Sequence, residues 1–413
     1  MNPQIERTEI LVIGAGPAGS VAAAMLRKQG RQVLMLERQQ FPRFSIGESL
    51  LPQSMEYIEA AGLLRDVVEA GFQYKNGAAF VHGDARTAFD FRDKSAQGWG
   101  TTYQVQRADF DDVLARGAER MGATLRFGDE VLAVEPGEKP AVSVRRADGS
   151  EYRIEADFIL DASGFARLLP RLLELERPSN FPVRGAIFTH VRDHIPADAG
   201  FDRNKILITT HPQHIDVWYW TIPFSNGTCS LGVVAEPSFF ERYEGEDLQK
   251  LQAIVAEDPN LSGLLANAEW AVLPVRRITG YSANVDSLVG PGYALLGNAG
   301  EFLDPVFSSG VTIAFKSAQL ASDCLARRYA GEQVDWQAGF EQPLRAGVRA
   351  FRRFVEAWYA GGFQKIIYHP QQQPEVRRMI CSILAGYAWD TRNPYVADES
   401  GRRLRTLEEL CGG

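Results

Sequence analysis

Hydrophobic positions change period several times along the chain, and each change predicts an element. Ile10-Leu11-Val12-Ile13 is a short unbroken apolar run, the pattern of a strand covered on both faces. Residues 20–29 have helical spacing closed by Gly30, and Val33-Leu34-Met35-Leu36 is a second buried strand that ends at Glu37. Strand-like stretches follow at 78–82, 124–127, 141–146, 186–191, 205–210, 216–222 and 229–235, and predict a second sheet inserted into the first unit. Helical spacing marks 109–121 and 311–329, and 293–296 is another buried-strand run. Beyond Asp335 the pattern is mainly helical, through 340–359 and 375–387, as expected of a region that covers one face of the molecule.

Two kinds of unit therefore interleave in an α/β chain. A discontinuous dinucleotide-binding unit is expected over 1–70, 101–175 and 276–335, a mixed-sheet substrate unit over 71–100 and 176–275, and a helical C-terminal region over 336–413. Composition narrows the partners. Across 413 residues, 44 Lys and Arg face 52 Asp and Glu, a net charge of -8, which is the wrong sign for a chain that grips nucleic acid. Cys229, Cys324, Cys381 and Cys411 lie far apart with no C-x-x-C pair, so neither a metal site nor a disulfide framework is expected, and a reducing cytoplasm fits. Residues 1–9 lack the pattern of a signal peptide, and no apolar run is long enough for a transmembrane helix.

Gly14-Ala15-Gly16-Pro17-Ala18-Gly19 leaves the first strand and opens the first helix, and Glu37 ends the next strand 23 residues after Gly14. A G-x-G-x-x-G alone is weak evidence, but this context makes it strong. Gly14 allows the tight turn, Gly16 lets backbone approach a pyrophosphate, and Gly19 lets the helix pack on the strand. The helix N-terminus favours phosphate charge, and a carboxylate at Glu37 suits a ribose hydroxyl while repelling a 2'-phosphate. The ligand is NAD or the adenosine half of FAD, with Ala18 and Arg38 completing the set. A second strand-to-helix turn, Gly297-Asn298-Ala299-Gly300, favours FAD.

With these turns the chain resembles the flavoprotein monooxygenase superfamily and its Rossmann-type FAD-binding domain. Gln106-Arg107-Ala108-Asp109-Phe110-Asp111 and Asp161-Ala162-Ser163-Gly164-Phe165 carry the same resemblance, which places Arg107 and Asp161 near the cofactor. Asn298 stands where that superfamily has aspartate, and keeps hydrogen bonding without the charge. Without the resemblance, Arg107 reads as a surface residue at a helix start and Asp161 as a turn former.

Three further segments resemble one group, the flavin-dependent halogenases, over most of residues 8–330. Phe41-Pro42-Arg43-Phe44-Ser45-Ile46-Gly47-Glu48-Ser49-Leu50-Leu51-Pro52 is similar to their segment after the second strand, and Ser49 joins the cofactor set. Trp218-Tyr219-Trp220-Thr221-Ile222-Pro223 matches W-x-W-x-I-P in a chain with seven tryptophans, and residues two apart on a strand share a face. The resemblance implies that Trp218 and Trp220 separate flavin from substrate. Phe302-Leu303-Asp304-Pro305-Val306-Phe307-Ser308-Ser309-Gly310 matches F-x-x-P-x-x-S-x-G before a helix that begins near Val311. It implies that Pro305, Gly310 and Val311 meet the flavin and that Ser308 lies at the reaction centre, with a helix start suited to a halide.

Lys75, in Gly71-Phe72-Gln73-Tyr74-Lys75-Asn76-Gly77, resembles the family's active-site lysine; alone, it reads as an exposed charge. The resemblance implies an enzyme that uses FAD, reduced by a separate flavin reductase, with oxygen and chloride or bromide to form hypohalous acid. Phe307 stands where tryptophan halogenases have glutamate, so the expected substrate is an electron-rich phenol or pyrrole, free or tethered to an acyl or peptidyl carrier protein. No compelling base for a phenol stands out: His82, His190, His211 and His214 are the candidates, and each reads more readily as a surface or core histidine. The alternative is a monooxygenase or dehydrogenase of the same fold acting without halide.

Overall fold

In the computed structural model, which describes residues 5–179 and 181–412, the unbroken apolar runs are the central strands of an eight-stranded sheet. Ile5–Ile13 lies between Glu151–Asp161 and Val33–Glu37, parallel to both, with Ile13 opposite Asp161 and Leu36. Tyr293–Leu295 extends the parallel set on one side and Thr124–Phe127 on the other. Buried on both faces, these strands need apolar side chains at successive positions. The helix Pro17–Lys28 packs against Arg107–Arg120 and against the 20-residue helix Gly310–Tyr329.

A second sheet has seven strands, in the order Arg276–Thr279, Gly185–Arg192, Thr228–Ala235, Trp218–Pro223, Lys205–Thr210, Gly77–His82 and Ala85–Asp90. Its pairs are antiparallel except Lys205–Thr210 with Gly77–His82. Alternation divides its side chains: Ala186, Phe188, Trp218 and Trp220 join the main core, whereas Ile187, Tyr219, Leu231 and Val233 build a smaller core under the helix Asp247–Ala256.

The allocation of strands differs from the sequence expectation in three places. Thr124–Phe127 pairs with Val33–Glu37, and Ala141–Arg145 with Glu151–Asp161, so both belong to the first sheet and not to the second that their strand pattern predicts, in agreement with their place inside the 101–175 span of the dinucleotide unit. Arg276–Thr279, inside the stretch assigned to the dinucleotide unit, pairs with Gly185–Arg192 in the second. Periodicity reports which residues are strands; the partner is chosen by where the chain returns after a long connection.

The C-terminal region is helical, with Gln342–Tyr359, Gly362–Tyr368, Pro374–Leu384 and Arg402–Gly412 as its longer elements. Phe307 meets Trp358 and Phe363 edge-on at ring separations of 6.0 and 5.4 Å, so these helices cap the turn that precedes Gly310. Among the described residues, no helix is long and apolar enough to cross a membrane.

Candidate active site

Gly14 leaves the first strand with φ of +96°, and a Cβ there would stand 2.5 Å from the Ala162 carbonyl oxygen. A Cβ at Gly19 would come within 2.0 Å of the Gly14 oxygen, whereas at Gly16 the nearest atom would be the Arg43 guanidinium at 3.4 Å. Gly14 and Gly19 thus permit close packing, and Gly16 fronts an open cleft. The following helix has no side-chain cap and no acidic residue in its first turn, so its positive end is not neutralised from within. At the end of the next strand, Glu37 accepts hydrogen bonds from the Ala15 amide at 3.1 Å and the Gln39 amide at 3.0 Å, which holds the carboxylate against the loop.

The cleft continues past Arg43, which pairs with Glu37 at 3.6 Å and with Asp111 at 2.9 Å. Arg107 is 8% exposed and grips Asp111 through two bonds of 2.7 and 3.0 Å while also donating to the Ile46 carbonyl. The plain reading of Arg107 as a surface residue is therefore corrected. Asp161 is fully buried, accepts from the Ser163 and Leu169 amides at 2.9 and 2.8 Å, and has its pKa raised by burial. Its side chain holds a turn whose next residues, Ala162 to Ala166, line the cleft in its place.

Asn298, Pro305, Ser308, Gly310 and Val311 also line the cleft. Ser308 is a non-glycine residue at φ +55°, and Ser309 returns to right-handed geometry as the helix Gly310–Tyr329 starts. Successive residues of opposite hand make a concave array of amides that suits an anion. Arg167 braces the Asn298 turn by donating to the Gly300 carbonyl at 3.1 Å and the Asn284 carbonyl at 2.9 Å.

At the far end stand Trp218 and Trp220, both almost fully buried, with ring centroids 6.0 Å apart. The Trp220 indole donates to Ser230 at 3.0 Å and its ring covers Gly232, where a Cβ would meet it at 2.2 Å. Trp218 donates to the Tyr359 hydroxyl at 3.1 Å. The cleft lined by these residues is a cavity of about 350 Å³ that opens to solvent.

Lys75 is 0% exposed, and its ammonium donates to the Ser49 hydroxyl and the Leu50 carbonyl, both at 2.7 Å. Burial pushes its pKa down to about 7. Ser49 lines the cleft, and Lys75 lies directly behind it. On the two-stranded ribbon of Gln73–Lys75 with Thr102–Gln104, Thr102 and Gln104 share the face of Lys75, and each keeps an unpartnered side-chain oxygen. The site thus contains buried polar capacity beyond the bonds formed.

Three comparisons bear on this arrangement. Residues 7–226 match the FAD binding domain family. A tryptophan 2-halogenase of Chondromyces crocatus is 34% identical over 87% of this chain and 69% of its own length. The chain belongs to the flavin-dependent halogenase family. A second member, the 1H-pyrrole-2-carbonyl-[peptidyl-carrier protein] brominase of Pseudoalteromonas luteoviolacea (strain 2ta16), is 28% identical over 92% of both chains. Among solved structures, a flavoprotein/dehydrogenase from Cytophaga hutchinsonii is 40% identical with a TM-score of 0.94, covering 98% of this chain and 99% of that one.

This family member is an FAD-dependent oxidoreductase, and its own residues fit the cofactor. Gly16 presents bare backbone at an uncapped helix start, Glu37 offers a ribose acceptor, and Arg38 lines the same cleft beside Arg43 and Arg107, whose guanidiniums are paired with Glu37 and Asp111. Of the residues singled out in the sequence, Gly14, Gly16, Ala18, Glu37, Arg38, Ser49, Arg107, Trp218, Trp220, Asn298, Pro305, Ser308, Gly310 and Val311 all line it. Gly19, Asp161 and Lys75 stand behind the wall.

Nothing in the sequence pointed to the roles of Arg43 and Arg167, or to the pairing of His190, one of the candidate bases, with Glu48. His190 Nε2 lies 2.7 Å from Glu48 Oε1, both residues are buried, and Glu48 Oε2 has no partner. The signal available was the alternation of 186, 188 and 190 on one strand face, which puts His190 with Ala186 and Phe188 on the side of the tryptophans.

Proposed function

We propose that this protein halogenates an electron-rich aromatic ring, a phenol or a pyrrole, with hypohalous acid formed in its own cleft. The observation that carries the reading is the buried Trp218/Trp220 pair in the wall of the cleft that begins at the glycine loop. When bound and reduced, FAD supplies the two electrons with which O2 and a halide ion give hypohalous acid and water. The Ser308 amide donates to the Pro305 carbonyl at 2.9 Å, so the Ser309 and Gly310 amides that follow it are the proposed halide site. Trp218 and Trp220 exclude bulk water and keep the organic substrate from direct contact with the cofactor.

Lys75 is the proposed acceptor of hypohalous acid, reached past Ser49. An amine with a pKa of about 7 is neutral in about half the molecules at pH 7, and a neutral amine can accept halogen with release of water. As an ammonium it can instead donate a hydrogen bond to the hypohalous oxygen. Glu48, which lines the cleft and is hydrogen-bonded to His190, is the proposed acceptor of a proton from a phenolic substrate.

Overall similarity does not choose between the indole of one relative and the carrier-bound pyrrole of the other. The preference for a phenol or pyrrole rests on Phe307, whose ring is committed to Trp358 and Phe363 where tryptophan halogenases have glutamate. The carrier-protein form of the substrate is supported by the name of the pyrrole relative, and a separate reductase by the single dinucleotide loop. The similarity to a flavoprotein/dehydrogenase supports a second reading, hydrogen transfer without halide.

One experiment separates them. Protein loaded with reduced FAD is mixed with oxygen and increasing bromide in the presence of small free phenols and pyrroles, with flavin absorbance followed and products read by mass spectrometry. Bromide-saturable flavin reoxidation and a brominated ring are expected. Flavin reoxidation that is indifferent to bromide and yields no brominated product would favour the second reading.

A further inference from the structure

The two tryptophans of the cleft wall are fixed by different parts of the molecule. Trp220 bonds to Ser230 on the neighbouring strand of its own sheet and lies flat over Gly232. Trp218 has its indole partner in the C-terminal region, where Tyr359 ends the helix Gln342–Tyr359. The Tyr359 hydroxyl accepts from Trp218 at 3.1 Å and donates to Asp304 Oδ2 at 2.9 Å. Asp304 Oδ1 in turn accepts from the Val306 amide at 2.9 Å, inside the turn that brings Pro305, Ser308 and Gly310 to the cleft.

We propose that Tyr359 is a positioning residue that locks the Trp218 ring into the cleft wall and thereby retains hypohalous acid inside the protein. The proposal rests on the halogenase reading above. A phenol hydroxyl donates one proton and accepts elsewhere, and an ionised carboxylate only accepts. Burial raises the Asp304 pKa to about 6, so above that pH its carboxylate is ionised, commits the Tyr359 proton to itself and leaves the phenol oxygen facing the indole N–H.

The tyrosine ring is held independently of its hydroxyl. The Arg184 guanidinium lies 4.3 Å over it and is paired with Asp216 at 2.8 Å. Removing the hydroxyl alone thus deletes the Trp218 and Asp304 bonds while ring packing persists. Tyr281 reaches the same carboxylate oxygen at 3.5 Å and lines the cleft, so Asp304 keeps one weak donor on that side, whereas the Trp218 N–H keeps no acceptor among the described residues. A buried indole N–H without an acceptor is costly, and the ring turns to find one. Such a turn opens the barrier on the side of the C-terminal helices, with no change at the glycine loop.

The test uses full-length protein and Tyr359→Phe, each loaded with FAD, reduced, and mixed with oxygen and bromide, with monochlorodimedone in the bulk solution. Bromination of the bulk trap per flavin reoxidised is expected to rise about fivefold or more in Tyr359→Phe, with FAD affinity unchanged in a fluorescence titration. Trp218→Phe removes the other half of the same bond and is expected to leak similarly, which keeps the test available if Tyr359→Phe folds poorly. Near-ultraviolet circular dichroism of the cofactor-free proteins gives a readout apart from turnover. Tyr359→Phe should alter the tryptophan bands, and should add no further change to Trp218→Phe. An active Tyr359→Phe with native leakage and native tryptophan bands overturns the positioning role alone. Absence of bromination from both native and variant protein overturns the halogenase reading and the barrier role with it, while the dichroism still shows whether Tyr359 orients Trp218.

Discussion

Lys75 shows how burial alone changes a residue's chemistry. Its unfolded-state pKa is near 10.5, and the folded state lowers it to about 7 because no carboxylate compensates the loss of water. Below pH 7 the amine is charged in both states and the folded protein bears the whole penalty; between pH 7 and 10.5 the folded amine is neutral while the unfolded one still binds a proton, so the penalty fades as pH rises. Lys75→Met is therefore expected to stabilise the protein by a few kcal/mol at pH 6.5 and by clearly less at pH 9.5, while abolishing bromination of a bound phenol or pyrrole and leaving hypobromous acid formation intact. Thermal melts at the two pH values check the first part; a gain that does not vary with pH would contradict the depressed pKa. The residues around Lys75 were legible as a motif, but the burial that makes an amine useful at neutral pH was not. That burial comes from Ser49, Leu50 and Phe91, which reach the lysine from distant points in the chain.

Within elements, two glycines of one loop have different tasks, and substitution should separate them. Valine at Gly19 drives a Cβ onto the Gly14 oxygen 2.0 Å away, and Gly16→Val meets nothing closer than the end of a flexible arginine. Gly19→Val is expected to cost about 3 kcal/mol or more in urea unfolding of the cofactor-free protein. Gly16→Val should leave that stability within about 0.5 kcal/mol and weaken FAD binding at least about tenfold, because its side chain fills the cleft. Equal loss of stability in both would contradict the division. The loop, its helix and its strands were legible because each depends on neighbours a few residues away. The shared face of Trp218 and Trp220 was legible for the same reason, since alternation is a property of any strand. Sheet membership was not: Thr124–Phe127 and Ala141–Arg145 carry a strand pattern that names no partner, and Arg276–Thr279 crosses to the other sheet.

For the whole molecule, the C-terminal helices close the cleft wall rather than merely covering a face. Trp358 packs against Phe80 of the second sheet and Phe307 of the flavin-side turn, and Tyr359 beside it holds Trp218. Trp358→Ala is expected to lower stability by about 3–5 kcal/mol through the cavity it leaves. It should also increase hypobromous acid leakage, because the helix end carrying Tyr359 loses its anchor; denaturant unfolding and the bulk trap measure the two effects. Sequence by itself determined the dinucleotide loop, the acidic strand end, the paired tryptophans and the F-x-x-P-x-x-S-x-G turn, because these are patterns of local spacing and backbone freedom. Only the tertiary structure decided that Arg107 is buried on Asp111, that Asp161 serves its turn, that Glu48 meets His190, and that Tyr359 reaches Trp218. Each of those joins side chains brought together by packing, where removal from water and the need to satisfy buried polar atoms set charge, orientation and partner.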